Sequence, residues 1–250
     1  YANNIKWLRV SLGPDSSIGL DMLTGLEKLA LNDYPKPAPD FRKLPKLREL
    51  EVLWDISRKS SYLANSNLES LSVDKLGDSD LTAFEALTKL RQFKILQGSL
   101  KSLKGIDKLH SLLSLNLILL RRFNDLSELK HAKSLEVLET DSLPSLLEVD
   151  AIKELSNLKR LKLDAPKATI DNLDWIGSMP KLEKLMLSVM AKSINWQIIA
   201  NHPSLTWLSI VTHEGYDKTD DEIQNMLNIC RPIKRFMRLK CKIPSFVVEW

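Results

Sequence analysis

Residues 68–117 read LESLSVDKLGDSDLTAFEALTKLRQFKILQGSLKSLKGIDKLHSLLSLNL, and their apolar residues fall into a fixed pattern. Leu68, Leu71 and Val73 are followed 22 residues later by Leu90, Phe93 and Ile95, and after another 22 by Leu112, Leu115 and Leu117. The last two residues of each triplet are two apart, so they point to the same face of a short strand. Further apolar residues follow at the three-to-four spacing of a helical turn, first Leu81/Phe84/Leu87 and then Ile106/Leu109. Each unit is therefore a strand followed by a compact return leg.

The pattern extends in both directions. Upstream stand Ile5/Leu8/Val10, Leu26/Leu29/Leu31 and Leu47/Leu50/Val52; downstream stand Leu135/Leu138/Thr140, Leu158/Leu161/Leu163, Leu182/Leu185/Leu187 and Leu205/Leu208/Ile210. The ten triplets are separated by nine steps of 21 to 24 residues. One such unit cannot cover its own apolar face, but units stacked at the inter-strand spacing of ~4.8 Å build a continuous core. The expected fold is an α/β solenoid, a horseshoe with a parallel sheet on its concave side and short helices or 3-10 turns on its convex side. Residues 1–212 make about ten repeats, the first capping the N-terminal end. Residues 213–250 make a terminal cap on the same solenoid, with a helix over Thr219–Cys230 and an eleventh strand on the triplet Phe236/Leu239/Cys241. Pro35, Pro37 and Pro39 predict an extended return between Asp33 and Phe41.

Over residues 5–212 the Leu-x-x-Leu-x-Leu triplets resemble the leucine-rich repeat family, and their short period is similar to its bacterial internalin-like class. The resemblance implies an Asn three residues past each triplet, laddering between turns. Here that position holds Gly13, Tyr34, Asp55, Leu76, Gly98, Leu120, Leu143, Pro166, Met190 and His213. The turns must satisfy their backbone groups in another way.

Composition narrows the chemistry. Of 250 residues 47 are leucine, yet no apolar run approaches the ~18 residues of a membrane helix. Cys230 and Cys241 are the only cysteines, too few for a disulfide framework. Neither a phosphate-cradling glycine loop, nor a His-Glu-x-x-His, nor a Gly-x-Ser-x-Gly, nor a Cys-x-x-Cys occurs. His110, His131, His202 and His213 lie in separate repeats, where structural or solvent roles are expected. No enzyme activity, cofactor or metal is expected, and no direct contact with nucleic acid or membrane.

The informative residues are the outward-facing ones on the strands, which have no packing duty. Their charges balance, with Arg9, Lys28, Lys94, Arg160, Lys162 and Lys184 against Glu49, Glu51, Asp74, Glu139, Asp141 and Asp164. Phosphate recognition needs a face of one sign, so the balance argues against nucleic acid. The pattern instead gives an acidic patch at repeats three and four and a basic patch at repeats eight and nine. Between them lie Leu53, Leu96 and Ile118, and at the ends Trp7 and Trp207. Aromatic anchors with opposed charges are features of protein interfaces. The candidate set is Trp7, Arg9, Lys28, Glu49, Glu51, Trp54, Asp74, Lys94, Glu139, Asp141, Arg160, Lys162, Lys184, Met186 and Trp207. The other reading of this charge pattern is a solvated sheet face. The basic run from Arg231 to Lys242 reads as edge-strand protection ahead of an acidic or RNA contact.

What the resemblance implies is a non-catalytic protein-binding module. Among such proteins the expected role is an immunity protein of a contact-dependent growth inhibition system, which binds and neutralises a bacterial toxin domain. Glu49, Glu51 and Asp74 would mimic phosphates if that toxin were a basic nuclease. An exported adhesin or effector that binds a host protein, and a cytosolic scaffold, are the alternatives. No export signal, wall anchor or appended catalytic domain is read in these residues, so a cytoplasmic location is expected, with export as the alternative.

Overall fold

The computed structural model describes residues 4–11, 19–34, 39–212, 222, 225 and 235–240. Among the described residues eleven strands lie in one sheet in chain order, each neighbouring pair parallel. They are β1 (Trp7–Val10), β2 (Lys28–Leu31), β3 (Glu49–Leu53), β4 (Ser70–Leu76), β5 (Gln92–Gly98), β6 (Ser114–Ile118), β7 (Val137–Asp141), β8 (Arg160–Asn172), β9 (Lys184–Ser193), β10 (Trp207–Thr212) and β11 (Arg235–Lys240). The return legs are made of 3-10 turns such as Thr82–Phe84, Ile106–Lys108 and Ser127–His131. The short helices α1 (Lys59–Tyr62) and α2 (Trp196–Ala200) join them.

Strand register explains the core. Leu50, Leu71, Phe93, Leu115, Leu138, Leu161, Leu185 and Leu208 stand opposite one another on successive strands. None is more than 1% exposed. Burying one leucine fully is worth ~1.5–3 kcal/mol, and here each repeat's leucine is covered by the repeats on either side. The return legs close the slab with Leu81, Phe84, Ile106, Leu129, Ile152 and Ile176, all buried.

Without an asparagine ladder, the turns use two other devices. In four consecutive repeats the residue two past the triplet is left-handed: Lys75, Gln97, Leu119 and Ser142 have φ of 56–60°. This reverses the chain and aims main-chain N–H groups at the next coil. The Leu119 amide donates to the Asp141 carbonyl at 2.9 Å, and the Ser142 amide to Asp164 Oδ2 at 2.9 Å. Beside it Gly98, at φ 135°, runs so close to its neighbour that a Cβ would stand 2.4 Å from the Leu76 carbonyl oxygen. On the far side, the carboxylates or amides of Asp55, Asp80, Asp125, Asn172 and Asn195 each accept the amide two residues on and start the 3-10 or helical turn. Thr140, the polar member of the triplets, is fully buried but accepts the Asp164 amide at 2.9 Å.

Two expectations are modified. The eleventh strand exists, but its register sets Phe236 beside Leu208 and Arg238 beside Ile210. The triplet phase expected from Phe236/Leu239/Cys241 would have matched Phe236 to Leu205, so it is displaced. Of the helix expected over 219–230, Glu222 and Asn225 are helical; its other residues, with Cys230, Cys241 and His213, lie outside the described residues, as do Pro35 and Pro37. Asp40, whose carboxylate accepts the Arg42 amide at 3.1 Å, ends the proline segment by capping a 3-10 turn at Phe41–Lys43.

His202 is structural. Its ring is buried, with Nε2 3.0 Å from the Met179 carbonyl and Nδ1 accepting the Leu205 amide at 3.1 Å, which fixes the neutral Nε2–H tautomer. Burial holds its pKa below the ordinary 6.5, so below that pH the unfolded chain takes up a proton that the folded chain refuses. Stability is therefore complete above pH 6.5 and is lost as pH falls through the folded-state pKa. Urea midpoints measured from pH 8 to 5.5 should decline on acidification, and His202→Gln should flatten that decline while lowering the midpoint at pH 8.

Candidate protein-binding face

The strand residues that do not enter the core point away from it, and the sheet is hollowed there. A groove of about 500 Å³ runs across β2–β8, with Glu49, Glu51, Ser72, Lys94, Asn116 and Glu139 in its lining. A second depression of about 250 Å³ adjoins it, sharing Glu139 and Arg160 and adding Lys162, Lys184, Met186 and Trp207. Of the expected set, ten residues thus line one continuous hollow. Trp7 and Arg9 on β1, Trp54 after β3, Asp74 on β4 and Asp141 on β7 lie outside it. Trp7 is 55% exposed at the first strand.

The charges of the hollow are fastened to one another. Arg9 Nη2 reaches Glu51 Oε2 at 2.8 Å, two strands away, passing over β2 where the register places Ala30. That alanine is only 1% exposed, although it faces outward, because the ion pair roofs it. Lys28 bridges Glu49 at 2.9 Å and Glu51 at 3.5 Å, and the first of these bonds raises its pKa. At the other flank Arg160 meets Glu139 at 3.5 Å, Asn116 Nδ2 donates to Glu139 at 2.8 Å, and Lys162 pairs with Asp141. The Lys162 contact, followed by the Ser142 hydroxyl, holds the Asp141 carboxyl below its usual range. The acidic patch read at Glu49 and Glu51 is therefore neutralised by cations from β1 and β2. Glu49 and Glu51 are thus presented as ion pairs and not as free carboxylates.

Between the fastened flanks lies a neutral stretch. Ser70, Ser72, Gln92, Ser114 and Asn116 supply hydroxyls and amides around Lys94, which has no carboxylate within ion-pair distance among the described residues. Lys184 is in the same condition beside Trp207, its register neighbour. Asp74 stands between Leu53 and Leu96, and its Oδ1 is buried with no hydrogen-bond partner among the described residues.

Trp54 does not belong to the face. It is 3% exposed and sits in a chain of rings, 5.4 Å from Tyr62 and 5.1 Å from Phe84, which in turn lies 4.9 Å from Phe93. Its Nε1 donates to Asp78 Oδ2 at 2.8 Å. The reason is local. Repeat three has no left-handed residue after its strand; Asp55 caps a 3-10 turn there, and the chain swings Trp54 inward. The aspartate cap directly after the tryptophan is the signal in the sequence. Ser209, the register neighbour of Met186 on β10, is also buried.

Comparison with known proteins settles the architecture. The chain aligns over 90% of its length with 85% of an internalin from Listeria monocytogenes, at TM-score 0.52 and 18% identity. The fold is that of the leucine-rich repeat proteins. The functional domain of InlJ from the same organism gives TM-score 0.60 and 22% identity, over 84% of this chain and 45% of that one. The leucine-rich repeat ectodomain of the Arabidopsis thaliana receptor kinase GASSHO1/SCHENGEN3 gives 0.53 and 17%, over 84% of this chain and 33% of that one. No family model and no curated protein matches the chain.

Two substitutions separate core from face. Trp54→Ala should lower unfolding free energy by ~3–5 kcal/mol in urea titration, the cost of a large core truncation, whereas Trp207→Ala should change it by ~1 kcal/mol or less. Asp74→Leu should raise stability by ~1 kcal/mol, because it removes a buried oxygen without a partner from between two leucines.

Proposed function

We propose that this chain is a non-catalytic recognition module that seats one protein partner in the hollow of its sheet. The carrying observation is the individual decoration of that hollow: no two repeats present the same outward residues, and its charges are pre-set in ion pairs around a neutral centre. A surface so varied along its length suits a single partner docked in a single register. The architecture supports this reading. Among its structural neighbours, the plant receptor ectodomain is seen in complex with Casparian strip integrity factor 2. The contact residues of this reading are Lys28, Glu49, Glu51, Lys94, Glu139, Arg160, Lys162, Lys184, Met186 and Trp207 in the hollow, with Trp7, Arg9, Asp74 and Asp141 beyond its lining.

Within that class, the finer reading is a cytoplasmic immunity protein that occludes a toxin domain. Occlusion needs an extensive, preformed surface and no chemistry, and a groove built on a parallel sheet supplies such a surface. Ser72, at the middle of the groove floor, gives the test, since tryptophan there fills the groove without touching the core. With a partner captured from native extract, Ser72→Trp should weaken binding about tenfold or more, ~1.4 kcal/mol, at unchanged melting temperature. A partner that binds this variant as tightly as the wild type would remove the hollow from consideration. The immunity reading ends if a toxin encoded at the adjacent locus keeps full activity with a molar excess of this chain.

A further inference from the structure

The distribution of fastened and unfastened charge says what kind of surface the hollow accepts, an inference that rests on the protein-recognition reading. Arg9, Lys28, Arg160 and Lys162 each have a carboxylate at hand in this chain. Lys94 and Lys184, the remaining cations of the hollow, have none among the described residues. The acids of the face that have no cation partner among the described residues lie elsewhere. Asp164 accepts the Ser142 amide, and Asp74, flanked by Leu53 and Leu96, stands at the rim outside the groove lining.

The floor of the hollow is thus neutral except for two ammonium groups. Beside Lys94 on the adjoining strands stand the Ser72 hydroxyl, able to donate to a carboxylate, and Asn116, whose Nδ2 holds Glu139 with one hydrogen and has a second to offer. Lys184 lies in the adjoining depression with Met186 and Trp207, where an apolar side chain can pack beside it. We propose that the two lysines are the charge anchors of the hollow, each receiving one carboxylate from an acidic protein surface. They lie on β5 and β9, four strands apart, so the partner's two acids are set about 19 Å from each other along the sheet. The sign of the partner is therefore acidic. A basic partner would have to break the pairs at Glu49 and Glu51, which leaves Arg9 and Lys28 facing it.

The probe is a phage-displayed library of a small three-helix scaffold with one randomised surface, selected on the wild-type chain and on Ser72→Trp. Binders that the wild type retains and Ser72→Trp rejects occupy the hollow. Those binders should be enriched in Asp and Glu, should weaken about tenfold on Lys94→Gln and on Lys184→Gln, and should weaken with rising salt. Lys94→Glu should return binders enriched in Lys and Arg. Groove binders without acidic enrichment, or indifferent to both lysine variants, overturn this proposal and leave the recognition reading standing. Binders that all tolerate Ser72→Trp overturn the recognition reading itself. Tight capture of single-stranded RNA by the wild type, lost on Lys94→Gln, would assign the lysines to phosphate and overturn the acidic-protein assignment.

Discussion

Leu71, Phe93, Leu115 and Leu138 stand beside one another on consecutive strands, and none is out of water without the next. That mutual cover is the constraint from which the other features follow. It forces parallel strands, because each unit must repeat the last with the same polarity. It also forces close coils, because the strands must stay in hydrogen-bond contact. Close coils bring the turns into register, so the amide of one turn meets the carbonyl or carboxylate of the next, as Leu119 meets Asp141 and Ser142 meets Asp164. An asparagine ladder is one solution to the same accounting. Left-handed residues with aspartate caps are another, and a chain that uses them can place Lys, Gln, Leu or Ser at the turn.

The same stacking shapes the open face. A side chain on a parallel strand has its nearest lateral neighbours in other repeats, roughly 21 to 24 residues away in sequence. Charge pairing on the sheet is therefore long-range in the chain and short-range in space. Arg9 reaches Glu51 because the strand between them carries only a methyl group at Ala30. Lys28 lies within reach of two acids because Glu49 and Glu51 are on the same face of the adjoining strand. The hollow keeps its depth at β4–β6, where serines, Gln92 and Asn116 are small or neutral.

This explains what was legible in the sequence. The period gave the strands, their order and the identity of nearly every core leucine, since facing depends only on position within the triplet. Which outward residues pair with one another depended on reach across strands, and that was not visible in a list of charges. Glu49 and Glu51 read as an acidic patch until Arg9 and Lys28 are set beside them in space. Trp54 stood in the candidate set as an aromatic residue at the end of its strand, but the Asp55 cap sets the turn there and the ring is buried. Phe236 was given the wrong phase because it stands 28 residues past its partner Leu208, outside the 21 to 24 of the other steps.

The energetics of the face and the core are separable. Exposed ion pairs such as Arg9–Glu51 or Lys28–Glu49 are worth about 0–1 kcal/mol each, whereas a buried leucine in the stack is worth several times that. The pairs therefore add little to holding the solenoid closed. What they do is remove charge from the flanks of the hollow and leave it at two places on the floor, which is a constraint on partners and not on folding. Asp74 shows the same division from the other side. Its carboxylate oxygen, buried without a partner among the described residues, costs stability where a leucine would add to it. A fold held by its interior stack can accommodate such a residue, and with it an outward face that is free to be set by recognition alone.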